Sequence, residues 1–330
     1  MSERYYIFKN CDLKRQDNRI VAVTPDGEKK DLKVEMTKEI YVFGEVNLNT
    51  KLLNFLSQLK ISLHIFNYYG FYSGTYYPKE TTVSGYLLVN QVKHYDDKEK
   101  RVMIAKEFIK SAADNIHRNL RYYNGRGKNV ETEIKEIEYL KGLIDFVSEV
   151  NELMGVEGNI RKHYYHSWNK IVDQEINFDK RVKRPPDNMI NSLISFVNSL
   201  MYTTVLSQIY ETQLNPTISY LHEPSTRRFS LCLDIAEVFK PLICDRLIFS
   251  LLNKNQITEN SFDKGSNFVY LKDKYRQVIL QEYDARLDQT INHKGLNRKI
   301  SYRHLIKLEC YKLIKHLING QEYKGFRMWW

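Results

Sequence analysis

Residues Leu221–Pro241 read LHEPSTRRFSLCLDIAEVFKP, and this stretch decides how the larger part of the chain folds. Apolar residues fill most positions from 231 to 239, which predicts a buried helix. Asp234, Glu237 and Lys240 interrupt this pattern at spacings of three, so they lie on one helical face. Such a strip is either a solvated stripe with a Glu to Lys contact or a buried site that needs a cation, because burying unpaired carboxylates is costly.

Helical periodicity extends outward from this stretch, from about residue 85 to the C-terminal end. The predicted helices are 97–122, 131–154, 157–173, 187–212, 231–253, 267–290 and 300–319. Up to residue 77 the chain instead has short segments rich in β-branched and aromatic residues, interrupted by one short helix, TKLLNFLSQL. We therefore predict an α+β fold, with a small sandwich-like β domain (1–77), a linker (78–86) and a larger all-α domain (87–330).

Composition and charge limit the class of protein. The 330 residues include 50 Lys and Arg against 40 Asp and Glu, a net charge of +10 that favours a polyanionic partner. The alternative is a basic protein whose 24 tyrosines serve only packing. The charged N-terminal sequence MSERYYIFKN and the lack of a continuous apolar run of membrane-spanning length predict a cytoplasmic protein without membrane contact. The four cysteines are widely spaced, so we expect neither disulfides nor a cysteine zinc site.

Two further polar positions stand out against the helical pattern. Glu157 lies between Gly155 and Gly158 at the predicted start of a helix, where it is either a capping carboxylate or part of a site that needs close backbone approach. His222 precedes Pro224 in an irregular segment, and a lone histidine is more often structural than functional. Together with the acidic pair on the helix, these residues form a plausible oxygen and nitrogen site for Mg²⁺ or Mn²⁺.

A hard metal beside a basic surface indicates phosphodiester chemistry. Basic residues that could contact a DNA backbone occur in a cluster at 180–184, in a loop at 226–228 and in the segment 294–316. The cluster at 180–184 and the segment 294–316 could each be only a solvated surface, which is the commoner case. Within them the candidate DNA-binding residues are Arg184, Arg227, Arg228, Arg298, Lys299 and Arg303.

Several longer motifs resemble one known family. These are MGVEGNIRKHYY (154–165), RPPDNMINSLISF (184–196), LNPTISYLHEP (214–224) and LDIAEVFKPLICDR (233–246), in this order, with EIYVFGEVNLN in the β domain. In sequence the chain resembles the CRISPR-associated integrases of the adaptation module, the Cas one family, and most closely their type I versions. Order and spacing make this match specific, whereas a single DxxE would be weak.

The resemblance implies roles for individual residues. Glu157, His222 and Glu237 are the expected metal ligands for Mg²⁺ or Mn²⁺. Asp234 is expected beside them, either supporting a ligand or handling a proton, and Lys240 is expected near the scissile phosphate. Asn191 matches a polar family position that supports the site and is added to the candidate DNA-binding residues.

The resemblance also implies a reaction and partners. A 3′-hydroxyl of a protospacer DNA would attack phosphodiesters at the leader–repeat and repeat–spacer junctions, a metal-dependent transesterification without a nucleotide cofactor. The expected partners are double-stranded and branched DNA, a second copy of the chain in a homodimer, and the small protein Cas two. Two alternatives stay open: a metal-dependent nuclease acting on branched DNA and a non-catalytic DNA-binding scaffold.

Overall fold

A computed structural model describes residues 3–78, 82–183, 185–226, 229–264, 269–293 and 295–329. The chain separates into two compact units, Met1–Thr81 and Thr82–Trp330. The elements of the first unit are β1 (Glu3–Ile7), β2 (Cys11–Gln16), β3 (Arg19–Val23), β4 (Lys29–Leu32), β5 (Thr37–Val42), β6 (Val46–Asn47), α1 (Thr50–Leu59), β7 (Ser62–Phe66) and β8 (Tyr72–Tyr76).

The strands of the first unit form two four-stranded sheets, with the orders β1-β5-β7-β8 and β4-β3-β2-β6. Both sheets are mixed. In the first, β1, β5 and β7 run parallel while β8 returns antiparallel. In the second, β6 is parallel to β2, whereas β2, β3 and β4 pair antiparallel. One core joins the two sheets to α1, and it includes Leu13, Ile20, Ile40, Leu56 and Leu63. Alternation of inward apolar residues on β-branched strands therefore builds the sandwich-like domain that the sequence predicted.

The second unit is mainly helical. Its helices are α2 (Gly85–Asp96), α3 (Lys98–Asn124), α4 (Glu131–Leu143), α5 (Val150–Ile171), α6 (Met189–Tyr210), α7 (Ser230–Lys240), α8 (Arg246–Asn253), α9 (Asp273–Asp288) and α10 (Tyr302–Asn319). Two short antiparallel hairpins interrupt them, β9 (Phe262–Lys264) with β10 (Val269–Leu271) and β11 (Thr290–His293) with β12 (Arg298–Ser301). The predicted α+β class is confirmed, although the sequence pattern did not reveal the hairpins.

The greatest difference from the predicted helices concerns Glu157. The structure has one helix, α5, across the predicted break at 155–156, so Glu157 lies in a helix interior and is not a capping residue. A side chain at Gly155 or Gly158 would meet only open space, so no close contact within the protein requires a glycine at either position. Burial of Tyr164 and Trp168 on the same helix outweighs the roughly 1 kcal/mol that each helical glycine costs.

Helix α7 lies at the centre of the second unit, where it contacts α3 and α6. At its end Pro241 has no N–H to donate, and residues Pro241–Asp245 form a wider π-helical turn that leads into α8. Helix α6 is long and apolar enough to cross a membrane, yet 78% of its most apolar window is buried within the unit. The burial of α6 in the core therefore explains its apolar sequence.

The segment after α10 packs back onto the same core. Phe326 stacks on Phe239 of α7 with a centroid distance of 5.8 Å. The Asn115 amide on α3 donates to the carbonyl oxygens of both Val238 and Phe326, at 2.9 and 3.1 Å, and accepts from the backbone N–H of Met328 at 2.9 Å. The C-terminal segment thus holds the end of α7 in place.

Candidate active site

The charged strip of α7 is buried. Asp234 is 0% exposed, Glu237 6% and Lys240 8%. The solvated alternative considered from the sequence is therefore wrong for this face, and each of these charges needs a partner inside the protein.

Asp234 is bound by the segment that carries the histidine. Its carboxylate accepts backbone N–H bonds from Tyr220, Leu221 and His222 at 2.7, 2.9 and 3.0 Å. Its Oδ1 also lies 2.8 Å from His222 Nδ1. Because the Asp234 oxygens already act as acceptors for three backbone N–H groups, Oδ1 also accepts from an Nδ1–H of His222, which leaves Nε2 as the ring nitrogen that faces a ligand. Asp234 therefore fixes both the loop and the ring nitrogen available to a ligand.

The loop around His222 is held from two more directions. Ser219 Oγ donates to the His222 carbonyl oxygen at 2.6 Å. The next residue, Glu223, accepts from Tyr95 Oη at 2.5 Å and from Arg101 Nη2 at 2.6 Å. These contacts fasten the loop to α2 and α3, so that His222, which is only partly buried, is positioned by its neighbours.

Glu237 has cations on both carboxylate oxygens. Lys240 Nζ donates to Oε1 at 2.5 Å, and Arg161 Nη2 donates to Oε2. Burial alone would raise the pKa of Glu237, but the charges of Lys240 and Arg161 outweigh burial and hold this pKa well below its usual range. Burial alone would likewise lower the pKa of Lys240, but Glu237 and Tyr202 raise it well above its usual range, and the Lys240 ammonium also lies 5.0 Å from the centroid of the Tyr202 ring. The pair is therefore charged at any physiological pH.

Arg161, which the sequence reasoning did not single out, lies among three carboxylates. Besides its bond to Glu237, its Nε donates to Glu157 Oε1 at 3.2 Å, and its Nη1 lies 3.8 Å from Asp245 Oδ2. Burial raises the pKa of Asp245 to about 6, against the opposing effects of Arg161 and the Tyr164 hydroxyl. The i,i+4 spacing of Glu157 and Arg161 was the available sequence signal.

The donor set has the chemistry of a divalent metal site. Glu157 and Glu237 both bond to Arg161, so their oxygens converge on one cation, and two carboxylates with an imidazole suit Mg²⁺ or Mn²⁺. Among the residues that the structure describes, no three acidic, histidine or cysteine side chains lie close enough together to hold an ion. The structure thus joins Glu157 to Glu237 through Arg161 and His222 to Asp234, and the three-ligand set stays a prediction.

Asn191 is a correction to the candidate DNA-binding residues. It is completely buried, where its Oδ1 accepts from Val182 N at 3.1 Å and Arg181 Nη1 at 2.9 Å. Its Nδ2 donates to the Lys180 carbonyl oxygen at 3.1 Å and to Asp187 at 2.8 Å. Every polar group of the amide is used within the protein, so Asn191 shapes the basic loop instead of contacting DNA itself.

The other basic candidates differ in their surroundings. Arg298 and Lys299 are exposed on β12, while Arg303 is largely buried and donates to Asp284 at 3.1 Å. Lys183 is exposed, and desolvation by the surrounding protein together with repulsion by Lys240 and Arg181 lowers its pKa. Arg184, Arg227 and Arg228 lie outside the described residues.

Comparison with known proteins gives a consistent result. The family model described as CRISPR associated protein Cas1 matches residues 5–285. A CRISPR-associated endonuclease Cas1 from Fusobacterium nucleatum is 60% identical over 330 residues, covering 100% of this chain and 98% of the relative. The solved structure of a Cas1 protein from Thermotoga maritima has a TM-score of 0.87 at 43% identity, covering 98% of this chain and 100% of its own.

A more distant likeness concerns the fold alone. A casposase solved bound to an integration product has a TM-score of 0.88 at 20% identity, covering 98% of this chain and 93% of its own. The two-unit architecture is therefore found in solved structures of low sequence identity.

Proposed function

Because the chain belongs to the CRISPR-associated Cas1 family of endonucleases, we propose that it inserts protospacer DNA into the CRISPR array by metal-dependent transesterification. In each joining step the oxygen of a protospacer 3′-hydroxyl forms a new bond to phosphorus, and the bond to the 3′-oxygen of the array strand breaks. One phosphodiester replaces another, so the reaction needs no nucleotide cofactor. The attacking hydroxyl loses its proton, and the displaced 3′-oxygen takes up a proton, so the step is balanced.

The observation that carries this proposal is the convergence of Glu157 and Glu237 on one buried cation beside a histidine held by Asp234. We propose Glu157, Glu237 and the Nε2 atom of His222 as the ligands. When bound, Mg²⁺ or Mn²⁺ supplies charge stabilisation at the phosphate and lowers the pKa of the attacking oxygen.

The remaining residues position the metal ligands or neutralise the charge of the DNA phosphates. Asp234 fixes the ring proton of His222 on Nδ1 and keeps Nε2 free. Lys240 is a buried ammonium group on the same helical face as Glu237, where it can bind a phosphate oxygen as negative charge develops there. We infer that Lys183 and the exposed residues Arg298 and Lys299 contact the DNA backbone, together with Arg184, Arg227 and Arg228.

The proposed partners follow from the family. They are double-stranded and branched DNA, a second copy of the chain, and Cas2, with which Cas1 chains assemble. The proposed compartment is the cytoplasm, where the CRISPR array lies.

A metal-dependent nuclease is the second candidate function, favoured by the endonuclease name of the 60% identical relative. It would use the same residues with water as the attacking group.

The test is a strand-transfer assay with a short labelled duplex and a supercoiled plasmid carrying a leader and repeat. Joined product is expected with Mn²⁺, none with EDTA, and His222→Ala should lower the joining rate by at least roughly 100-fold, because a ligand matters more than the outer partners that change metal sites 10- to 100-fold. His166→Ala is the control, since His166 is an exposed histidine on α5. Cut product without joined product would favour the nuclease, and DNA binding with no product even after Cas2 is added would favour a non-catalytic scaffold.

A further inference from the structure

The Arg161 guanidinium occupies the oxygens that the proposed metal needs. It bonds to Glu157 Oε1 and to Glu237 Oε2, and it is itself 9% exposed. A divalent ion that bound both glutamates would lie next to this buried positive charge. The repulsion between the two cations would weaken metal binding unless Arg161 found another anion.

Asp245 is such an anion. It is 4% exposed, and its Oδ2 lies 3.8 Å from Arg161 Nη1, beyond hydrogen-bonding distance. Within the described part of the chain this oxygen has no hydrogen-bond partner. A buried carboxylate oxygen with an unused acceptor site beside a guanidinium is costly unless it is used in another state of the protein.

The position of Asp245 suits a second partner for Arg161. It ends the π-helical turn that follows Lys240, so it lies one turn beyond the charged strip of α7 on a continuous helical path. Moving the guanidinium toward Asp245 needs a change of under 1 Å in the Nη1 to Oδ2 distance to reach normal hydrogen-bonding range.

We propose that Arg161 exchanges partners when the metal binds: it leaves the oxygens of Glu157 and Glu237 and forms an ion pair with Asp245. In the metal-free protein Arg161 bonds to both ligand carboxylates and so holds them on either side of one guanidinium group. Asp245 is then a positioning residue that accepts the displaced guanidinium. This inference rests on the proposed function, because it takes Glu157 and Glu237 as metal ligands.

The experiment measures Mn²⁺ binding to the purified full chain by the loss of the free Mn²⁺ signal in electron paramagnetic resonance. Asp245→Asn should weaken Mn²⁺ binding by about 10-fold, the lower end of the range for outer partners of metal ligands. Its unfolding midpoint at pH 7.5 should not fall below that of the wild type, since a neutral amide removes the penalty of burying a charge. A merely structural role of Asp245 would lower the midpoint along with the affinity.

A double-mutant cycle tests whether Asp245 acts through Arg161. In an Arg161→Gln background, Asp245→Asn should change Mn²⁺ affinity by less than about twofold, because no displaced guanidinium is left to accept. If Arg161→Gln does not fold, Arg161→Lys is the second background, in which the Asp245→Asn effect should be smaller than in the wild type, because an ammonium cannot bridge both glutamates as the guanidinium fork does.

The outcomes separate the two proposals. If the wild type binds no Mn²⁺, or if Glu237→Gln binds it as tightly as the wild type, the proposed metal site is wrong. If the wild type binds and Glu237→Gln does not, the metal site stands. The partner exchange is then overturned by wild-type affinity in Asp245→Asn, by an undiminished Asp245→Asn effect in the Arg161 backgrounds, or by a loss of affinity accompanied by a lowered midpoint.

Discussion

Two carboxylates one helical turn apart on α7 are buried in opposite ways. Asp234 is held by three backbone N–H groups and a histidine ring, all from one short loop. Glu237 is held by the ends of two long cationic side chains, Lys240 and Arg161. Backbone donors cannot leave without unfolding the loop, whereas a lysine or arginine can turn to another anion. The first carboxylate is thus a fixed point of the fold, and the second is free to exchange its partners.

The largest effect on folding is therefore expected at Asp234. Asp234→Asn replaces one acceptor oxygen by a donor and leaves two buried N–H groups without partners, which should lower the free energy of unfolding by about 3 kcal/mol. Urea unfolding at pH 7.5 measures this change. Ser230→Ala is the matched control, because Ser230 joins the same region through one neutral bond to the Thr217 carbonyl oxygen, worth about 1 kcal/mol. Equal effects of the two variants would contradict the role of Asp234 as a fixed point.

The next effect is a dependence of stability on pH at Asp245. The pKa of Asp245 is about 6 in the folded chain, above its usual value of 3.8, so the folded state binds more protons than the unfolded state between these two values. The contribution is present in full below about pH 4 and is lost as pH rises through about 6, a change of up to about 3 kcal/mol. Urea unfolding from pH 4.5 to 7.5 should show wild type losing stability relative to Asp245→Asn as pH rises. If the difference in free energy of unfolding between wild type and Asp245→Asn stayed constant over this pH range, a raised pKa of Asp245 would be excluded.

The smallest effect on folding is expected at Glu157. Its side chain is 20% exposed, and among the described residues it has one hydrogen bond, of 3.2 Å, to Arg161. Glu157→Gln should lower the free energy of unfolding by only about 0.5 kcal/mol, as for an ordinary i,i+4 pair. The exposed pair of Glu131 and Lys135 on α4 gives a control of the same spacing, Glu131→Gln. If Glu157→Gln destabilised the chain as much as Asp234→Asn, the contact of Glu157 with Arg161 would be as important for folding as the contacts of Asp234.

The sequence predicted some residues of this site and missed others. The difference depends on whether a residue's contacts are local in the sequence or join segments that are far apart. The polar strip of α7 was visible because it breaks a local apolar period. The placement of Arg161 between Glu237 and Asp245 was not visible, because it depends on how α5 packs in three dimensions. Asn191 was misassigned since a polar side chain at a helix start has the same pattern whether it faces DNA or binds the preceding loop. The helix break expected before Glu157 rested on glycine propensity, which tertiary packing overrode.

The hydrogen bonds of Asn115 have a consequence for how the chain folds. This one side chain bonds to partners 123, 211 and 213 positions away in the sequence. Helical domains with mainly local contacts fold fast, but contacts over such separations close large loops and slow the search. We therefore expect the segment around Phe326 to dock late in folding, so that the end of α7 and the charged groups it carries become fixed only in the last stage of folding.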